Sequence, residues 1–195
     1  MVERELRAGI LIGGESRRMG RPKAALAAPD RPLAERITAV AAGSVTEVVF
    51  LGSAIANVGP GYRRLEDAAG VGGPLAGILA ALRDRPAADW LIIATDMPLV
   101  SRAAIEWLLG ERHAGRIAIL PRRTGGEIEP LFALYTAAAL PRLERLVARG
   151  IRAPHRLAED RDVHTPQIPP QLEAAWLNVN TPAEWAAIRE RLASE

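Results

Sequence analysis

Apolar and polar positions fall in blocks along this chain, and the period changes from block to block. Gly9-Ile10-Leu11-Ile12 is an apolar run short enough for a buried strand. From Pro32 to Ala42 the apolar residues Leu33, Ile37 and Val40 recur at helical spacing, with Pro in the first turn. Strand-like runs follow at Glu47–Leu51 and, shorter, at Arg63–Glu66. A glycine-rich turn then leads into an apolar helix around Ile78–Leu82. The run WLIIAT, Trp90 to Thr95, is the clearest strand. Behind it Ser101 caps a helix with Ile105, Leu108 and Leu109 on one face. Two more strands are predicted at Arg116–Leu120 and Pro130–Tyr135, separated by a cationic turn at Arg122–Gly126. An amphipathic helix spans Thr136–Arg149 and stops at Gly150. Residues 151–175 carry Pro154, Pro166, Pro169 and Pro170 and predict an irregular, lid-like segment. A last strand is predicted at Trp176–Asn180. Thr181-Pro182-Ala183-Glu184 then has the form of a capping box that opens the final helix. Strand and helix patterns in alternation predict one α/β domain over residues 1–195, with a mostly parallel central sheet flanked by helices.

Composition narrows the functional classes. There are no cysteines, which removes disulfides and thiolate metal sites and fits a reducing, cytoplasmic setting. The acidic start Met1-Val2-Glu3-Arg4-Glu5 is unlike a signal peptide, and no apolar run approaches the ~20 residues needed to cross a bilayer. The formal charge is only +2 and aromatic residues are 4%, so neither nucleic acid nor a membrane is an expected partner. His113, His155 and His164 are scattered without ligand spacing and read as incidental.

The chemistry gathers where the strands end. In open parallel sheets ligands sit at the carboxyl ends of strands. The first strand runs into Gly13, Gly14, Ser16, Arg17, Arg18, Met19, Gly20 and Lys23, a glycine-rich cationic loop suited to phosphate. Its glycines at 13, 14 and 20 do not fit the G-x-G-x-x-G dinucleotide fingerprint. Gly20-Arg21-Pro22-Lys23-Ala24 does not fit the Gly-Lys-Ser/Thr loop either. Of the 25 basic residues one is lysine, and it lies in this loop, where a compact ammonium suits the space between phosphates. Asp96 emerges directly from WLIIAT, several residues too early to cap the next helix, and so points to a hard cation. Asp67, Gly73 in Gly72-Gly73-Pro74-Leu75-Ala76-Gly77, Ser53 after the second strand, and Asn178 and Asn180 fall at the same predicted edge.

The string L-x-G-G-x-S-x-R-M-G-x-x-K from Leu11 to Lys23 resembles the signature of the nucleotidyltransferases that build molybdenum cofactor dinucleotides. The likeness is nearest to the MobA-like guanylyltransferase family. It extends to Asp96-Met97-Pro98, to Gly73-Pro74-Leu75-Ala76-Gly77 and to Asn178-Val179-Asn180-Thr181-Pro182. The chain departs from the family pattern in having Ile12 where Ala is common and Pro22 where Asp is common. The resemblance implies a Rossmann-like nucleotidyltransferase fold whose N-terminal half holds nucleotide and whose C-terminal half holds the acceptor. It implies transfer of GMP from GTP to molybdopterin, with Mg²⁺ as cofactor and contact with other cofactor-biosynthesis proteins. On that basis Lys23, Arg18 and Asp96 are catalytic. Leu11, Ile12, Gly13, Gly14, Lys23, Ser53, Asp67, Gly73 and Asp96 contact nucleotide. Asp96 and Asp67 hold the metal, and Asn178 and Asn180 face the acceptor. Two alternatives stay open: a relative that uses CTP or another phosphorylated acceptor, and a nucleotide-binding module without catalysis.

Overall fold

The structure is a computed structural model and describes residues 4–12, 32–52 and 61–193. Within these, seven strands form one sheet: β1 (Leu6–Leu11), β2 (Glu47–Leu51), β3 (Arg63–Leu65), β4 (Asp89–Ala94), β5 (Ala118–Ile119), β6 (Phe132–Tyr135) and β7 (Val163–His164). The spatial order is β3-β2-β1-β4-β6-β5-β7. The pairs β1–β2, β1–β4, β2–β3 and β5–β7 are parallel. β6 alone runs against its neighbours β4 and β5. The expected α/β architecture with a mostly parallel sheet is therefore present.

Among the described residues five α-helices accompany the sheet: α1 (Leu33–Ala42), α2 (Pro74–Asp84), α3 (Arg102–Gly110), α4 (Leu140–Ala148) and α5 (Pro182–Ala193). Central strands buried on both faces read as continuous apolar runs, and β4 is such a strand. Its Leu91 and Ile93 join Ile10, Leu33, Ile37, Ile105 and Phe132 on one side. Its Trp90 and Ile92 join Leu11, Leu75, Leu79 and Tyr135 on the other. Adjacent residues thus feed opposite cores, as the period of two requires. Gly9 in β1 is a packing glycine, since a Cβ there would stand 2.5 Å from Leu51 Cδ1 and 2.9 Å from Ile92 Cδ1.

Several local expectations hold. Ser101 Oγ accepts from the Ala104 amide and caps α3. Gly150 has φ +75°, the left-handed geometry of a helix stop. Glu184 Oε2 accepts from the Asn180 and Thr181 amides while Thr181 Oγ1 accepts from the Glu184 amide, which is the capping box at α5.

The expected last strand at Trp176–Asn180 is absent. Residues Pro170–Trp176 form a 3₁₀ helix, and the chain beyond runs alongside the sheet edge without joining it. The apolar pattern there reflects anchoring: Trp176 is fully buried, stacks on Phe132 at 4.4 Å and 18°, and donates from Nε1 to the Phe132 carbonyl at 2.9 Å. Instead, β7 lies inside the stretch expected to be irregular, between that helix and a 3₁₀ helix at Pro154–Glu159.

Candidate functional site at the sheet edge

Strand ends set the site. β1, β2, β3 and β4 are parallel, so their carboxyl ends lie on one edge. β1 occupies the middle, with Leu11 beside Leu51 of β2 and Ala94 of β4. The edge is tied together through the main chain. The Ile12 amide donates to the Leu51 carbonyl at 2.9 Å, and the Thr95 amide and hydroxyl both donate to the Leu11 carbonyl at 3.2 and 3.0 Å. Side chains of Leu11 and Ile12 are buried in the two opposite cores. Any ligand contact at these two positions therefore falls to the backbone.

Gly13, Gly14, Arg18, Lys23 and Ser53 lie outside the described residues. What is described is the frame around them. The Gly52 amide donates to the Leu65 carbonyl at 2.9 Å, which fixes the exit of β2 against β3. Gly73 stands at the N-terminus of α2 with φ +72°, a backbone that L side chains rarely adopt. At Gly77, on the first turn of α2, a Cβ would meet Leu11 Cδ2 at 2.5 Å and Asp67 Oδ1 at 3.5 Å. The helix thus packs directly on the end of β1 and carries the Asp67 carboxylate with it. The Ala68 amide, donating to the Ala76 carbonyl at 3.2 Å, holds this arrangement. Partial desolvation raises the Asp67 pKa above the usual carboxylate value even though the residue reaches solvent. Arg152 reaches the same glycine turn and donates to the Gly70 carbonyl at 3.1 Å.

Asp96 follows β4 on the other side of β1, with its Oδ1 atom removed from solvent. Its carbonyl accepts the Val179 amide at 2.8 Å. That bond brings Asn178-Val179-Asn180 to Asp96: Val179 is buried, and Asn178 and Asn180 are exposed on either side of it. The structure therefore ties the segment that carries the two asparagines to Asp96 through the Val179 main chain, and sets Asp67 on the same edge, across the end of β1.

Sequence reading missed Glu129. This acid is only 8% exposed. It precedes antiparallel β6, and the Ala94 amide donates to the Leu131 carbonyl at 2.8 Å, so residues 129–131 lie next to Asp96. Desolvation, opposed by Arg123 and reinforced by the Asp96 charge, pushes the Glu129 pKa up to about 7. Arg123 stands 3.6 Å from Glu129 and 3.8 Å from Glu173. Glu173 in turn accepts from the Thr124 amide and hydroxyl at 2.9 and 2.7 Å. Arg123, in the cationic turn, thus stands between the two acids Glu129 and Glu173. A sequence signal existed, since Glu129-Pro130 abuts the strand run PLFALY. Sorting residues by carboxyl ends alone overlooks it, because an antiparallel strand brings its amino end to this edge.

The raised Glu129 pKa has a stability consequence in metal-free protein. A carboxyl of higher pKa when folded than when unfolded binds extra protons in the folded state. Its contribution is full below about pH 4.5 and is lost as the pH rises through about 7. The loss is on the order of 3 kcal/mol. Denaturant unfolding between pH 4 and 8 should show this decline in the wild type and a flatter profile in Glu129→Gln.

The edge offers two aspartate carboxylates and carbonyl and amide oxygens, a set of hard donors that fits a cation such as Mg²⁺. No helix among the described residues is long and apolar enough to cross a membrane. The family model described as "MobA-like NTP transferase domain" matches residues 8–164. A protein of Rhizobium meliloti named "Molybdenum cofactor guanylyltransferase" is 33% identical, across 90% of this chain and 86% of its own. One of Pelotomaculum thermopropionicum, named "Probable molybdenum cofactor guanylyltransferase", is 31% identical across 92% and 90%. The crystal structure titled "Molybdopterin-guanine dinucleotide biosynthesis protein A from Archaeoglobus fulgidus" superposes with a TM-score of 0.79 at 26% identity, covering 97% of this chain and 100% of that one. A 2-C-methyl-D-erythritol 4-phosphate cytidylyltransferase from Thermus thermophilus shares the fold, with a TM-score of 0.69 at 17% identity. The strand ends, the two aspartates and the asparagine segment thus belong to a nucleotidyltransferase: this chain is a member of the MobA-like NTP transferase family.

Proposed function

We propose that this enzyme transfers GMP from GTP to Mo-molybdopterin, giving the guanine dinucleotide and pyrophosphate. The observation that carries the reading is the hydrogen bond from the Val179 amide to the Asp96 carbonyl, which joins the nucleotide edge to the asparagine segment. The named functions of the relatives support the choice of substrates. In this reading the N-terminal half, around β1 to β3 and Gly73, receives GTP, and the C-terminal half, around Asn178 and Asn180, receives the acceptor. Asp96 and Asp67 hold Mg²⁺. When bound, that ion supplies neutralisation of charge on phosphate oxygens.

Bonds change at phosphorus. An oxygen of the acceptor's phosphate attacks the α-phosphorus of GTP in line as the bond to the bridging oxygen breaks, and pyrophosphate departs with that oxygen. The attacking phosphate is already ionised near neutral pH, so no strong base is needed. Catalysis rests on positioning and electrostatics. Lys23 and Arg18 neutralise the departing pyrophosphate. Arg123 holds Glu129 beside Asp96 and keeps the floor of the site charged but paired.

Incubating the enzyme with Mg²⁺ and Mo-molybdopterin plus GTP or CTP, and measuring pyrophosphate and dinucleotide, tests the assignment. GTP is expected to turn over with at least a tenfold preference, a discrimination of about 1.4 kcal/mol. Turnover with CTP alone refutes the guanine reading, and GTP binding with no turnover leaves a binding module.

A further inference from the structure

The histidines expected to be incidental do not stay apart. His113 and His164 rings meet edge to face with centroids 5.2 Å apart, and His164 Nε2 lies 2.9 Å from Glu111 Oε2. One donor atom from each of Glu111, His113 and His164 lies within 4.8 Å of the others. Sequence spacing hides this set, because Glu111 and His113 follow α3 while His164 belongs to β7. We propose that Glu111, His113 and His164 form a second metal site, for a zinc-class divalent ion, which clamps the end of α3 to the edge strand β7.

Chemistry and geometry both support it. Two imidazoles and one carboxylate suit Zn²⁺, Co²⁺ or Ni²⁺, whereas Mg²⁺ prefers oxygen donors. Donors about 2.0–2.1 Å from a tetrahedral ion stand about 3.4 Å from one another. The Glu111–His164 pair is already inside that distance, and the exposed His113 ring has freedom to close. The backbones are fixed beforehand. The Glu111 amide donates to the Trp107 and Leu108 carbonyls, the Arg116 amide to that of His113, and the Leu120 amide to that of His164. His113 also lines an open cavity of about 800 Å³. The nearby Arg112 is bound to Asp89 at 2.6 Å, which offsets its repulsion of a cation. A clamp here has work to do, because β5 and β7 pair over two residues only.

Calorimetric titration with ZnCl₂ and with MgCl₂, on metal-stripped protein, tests the site. The wild type and Asp96→Asn are expected to bind one Zn²⁺ at this site, and melting should rise by about 5 °C at a hundredfold excess over Kd. His113→Ala and His164→Ala should each lose that event and that rise while keeping the same far-ultraviolet circular dichroism. Co²⁺ in place of Zn²⁺ should give visible d–d bands that vanish in His113→Ala, whose exposed ring is not needed for folding. Zn²⁺ binding that survives in both histidine variants, or no saturable binding in the wild type, overturns the proposal.

Discussion

Asp96→Asn is expected to lower kcat about a thousandfold with GTP and Mo-molybdopterin, and Lys23→Ala to do the same. For Asp96 the argument is electrostatic. The side chain leaves a buried strand with one oxygen shielded from water, at the edge proposed to hold the phosphates. Asparagine keeps the size and one acceptor oxygen but removes the charge, and about 4 kcal/mol of transition-state stabilisation is a thousandfold in rate. Asparagine retains the main-chain bond from the Val179 amide to the residue-96 carbonyl, and circular dichroism tests that the fold is kept. For Lys23 the informative companion is Lys23→Arg. If a compact ammonium is required between phosphates, the planar guanidinium restores little, although the charge is the same. Single-turnover pyrophosphate release, with circular dichroism as a control for folding, measures both. Rates within tenfold of the wild type for either aspartate or lysine variant would refute the proposed roles.

Trp176→Ala is expected to cost about 3–5 kcal/mol of stability. The residue is fully buried, stacked on Phe132, and set edge-on to Trp107 at 5.5 Å and 87°. Truncation removes the ring pairing, opens a cavity and leaves the Phe132 carbonyl without its indole donor. Trp176→Phe keeps part of the stack and should lose less. Urea unfolding gives the magnitude. A second readout bears on the site, because Trp176 anchors the segment that carries Asn178 and Asn180. In Trp176→Phe, KM for the acceptor should rise more than KM for GTP.

The fold was legible because it rests on strong local patterns. WLIIAT, the run ending β2 and the apolar stripes of α1 to α4 correspond to strands and helices buried in the two cores. The capping box and Ser101 are short-range chemistry and were equally readable. Three features were not. Trp176–Asn180 looks like a strand because it alternates apolar and polar residues. Its ties to the sheet run through the Trp176 indole and the main-chain bond to Asp96, and only the finished sheet supplies those partners. Two-residue β7 is too short to leave a periodic signal. Glu129 required knowing that β6 reverses direction, since strand polarity decides which end of a segment meets the site. Asp96, Asp67, Gly73 and the asparagines are candidates by motif and strand-end logic, and the structure sets them around the end of β1.

The bond between the Val179 amide and the Asp96 carbonyl also bears on the order in which the enzyme is made. Asp96 leaves the ribosome well before Val179, and β5, β6, α4 and β7 are synthesised between them. Strands β1 to β4 can pair, and the edge proposed to hold nucleotide can take shape, while the segment proposed to face the acceptor is still untranslated. Contacts of such long sequence separation close late in folding. A nascent or C-terminally truncated chain should therefore engage nucleotide before it can offer a second substrate anything to hold.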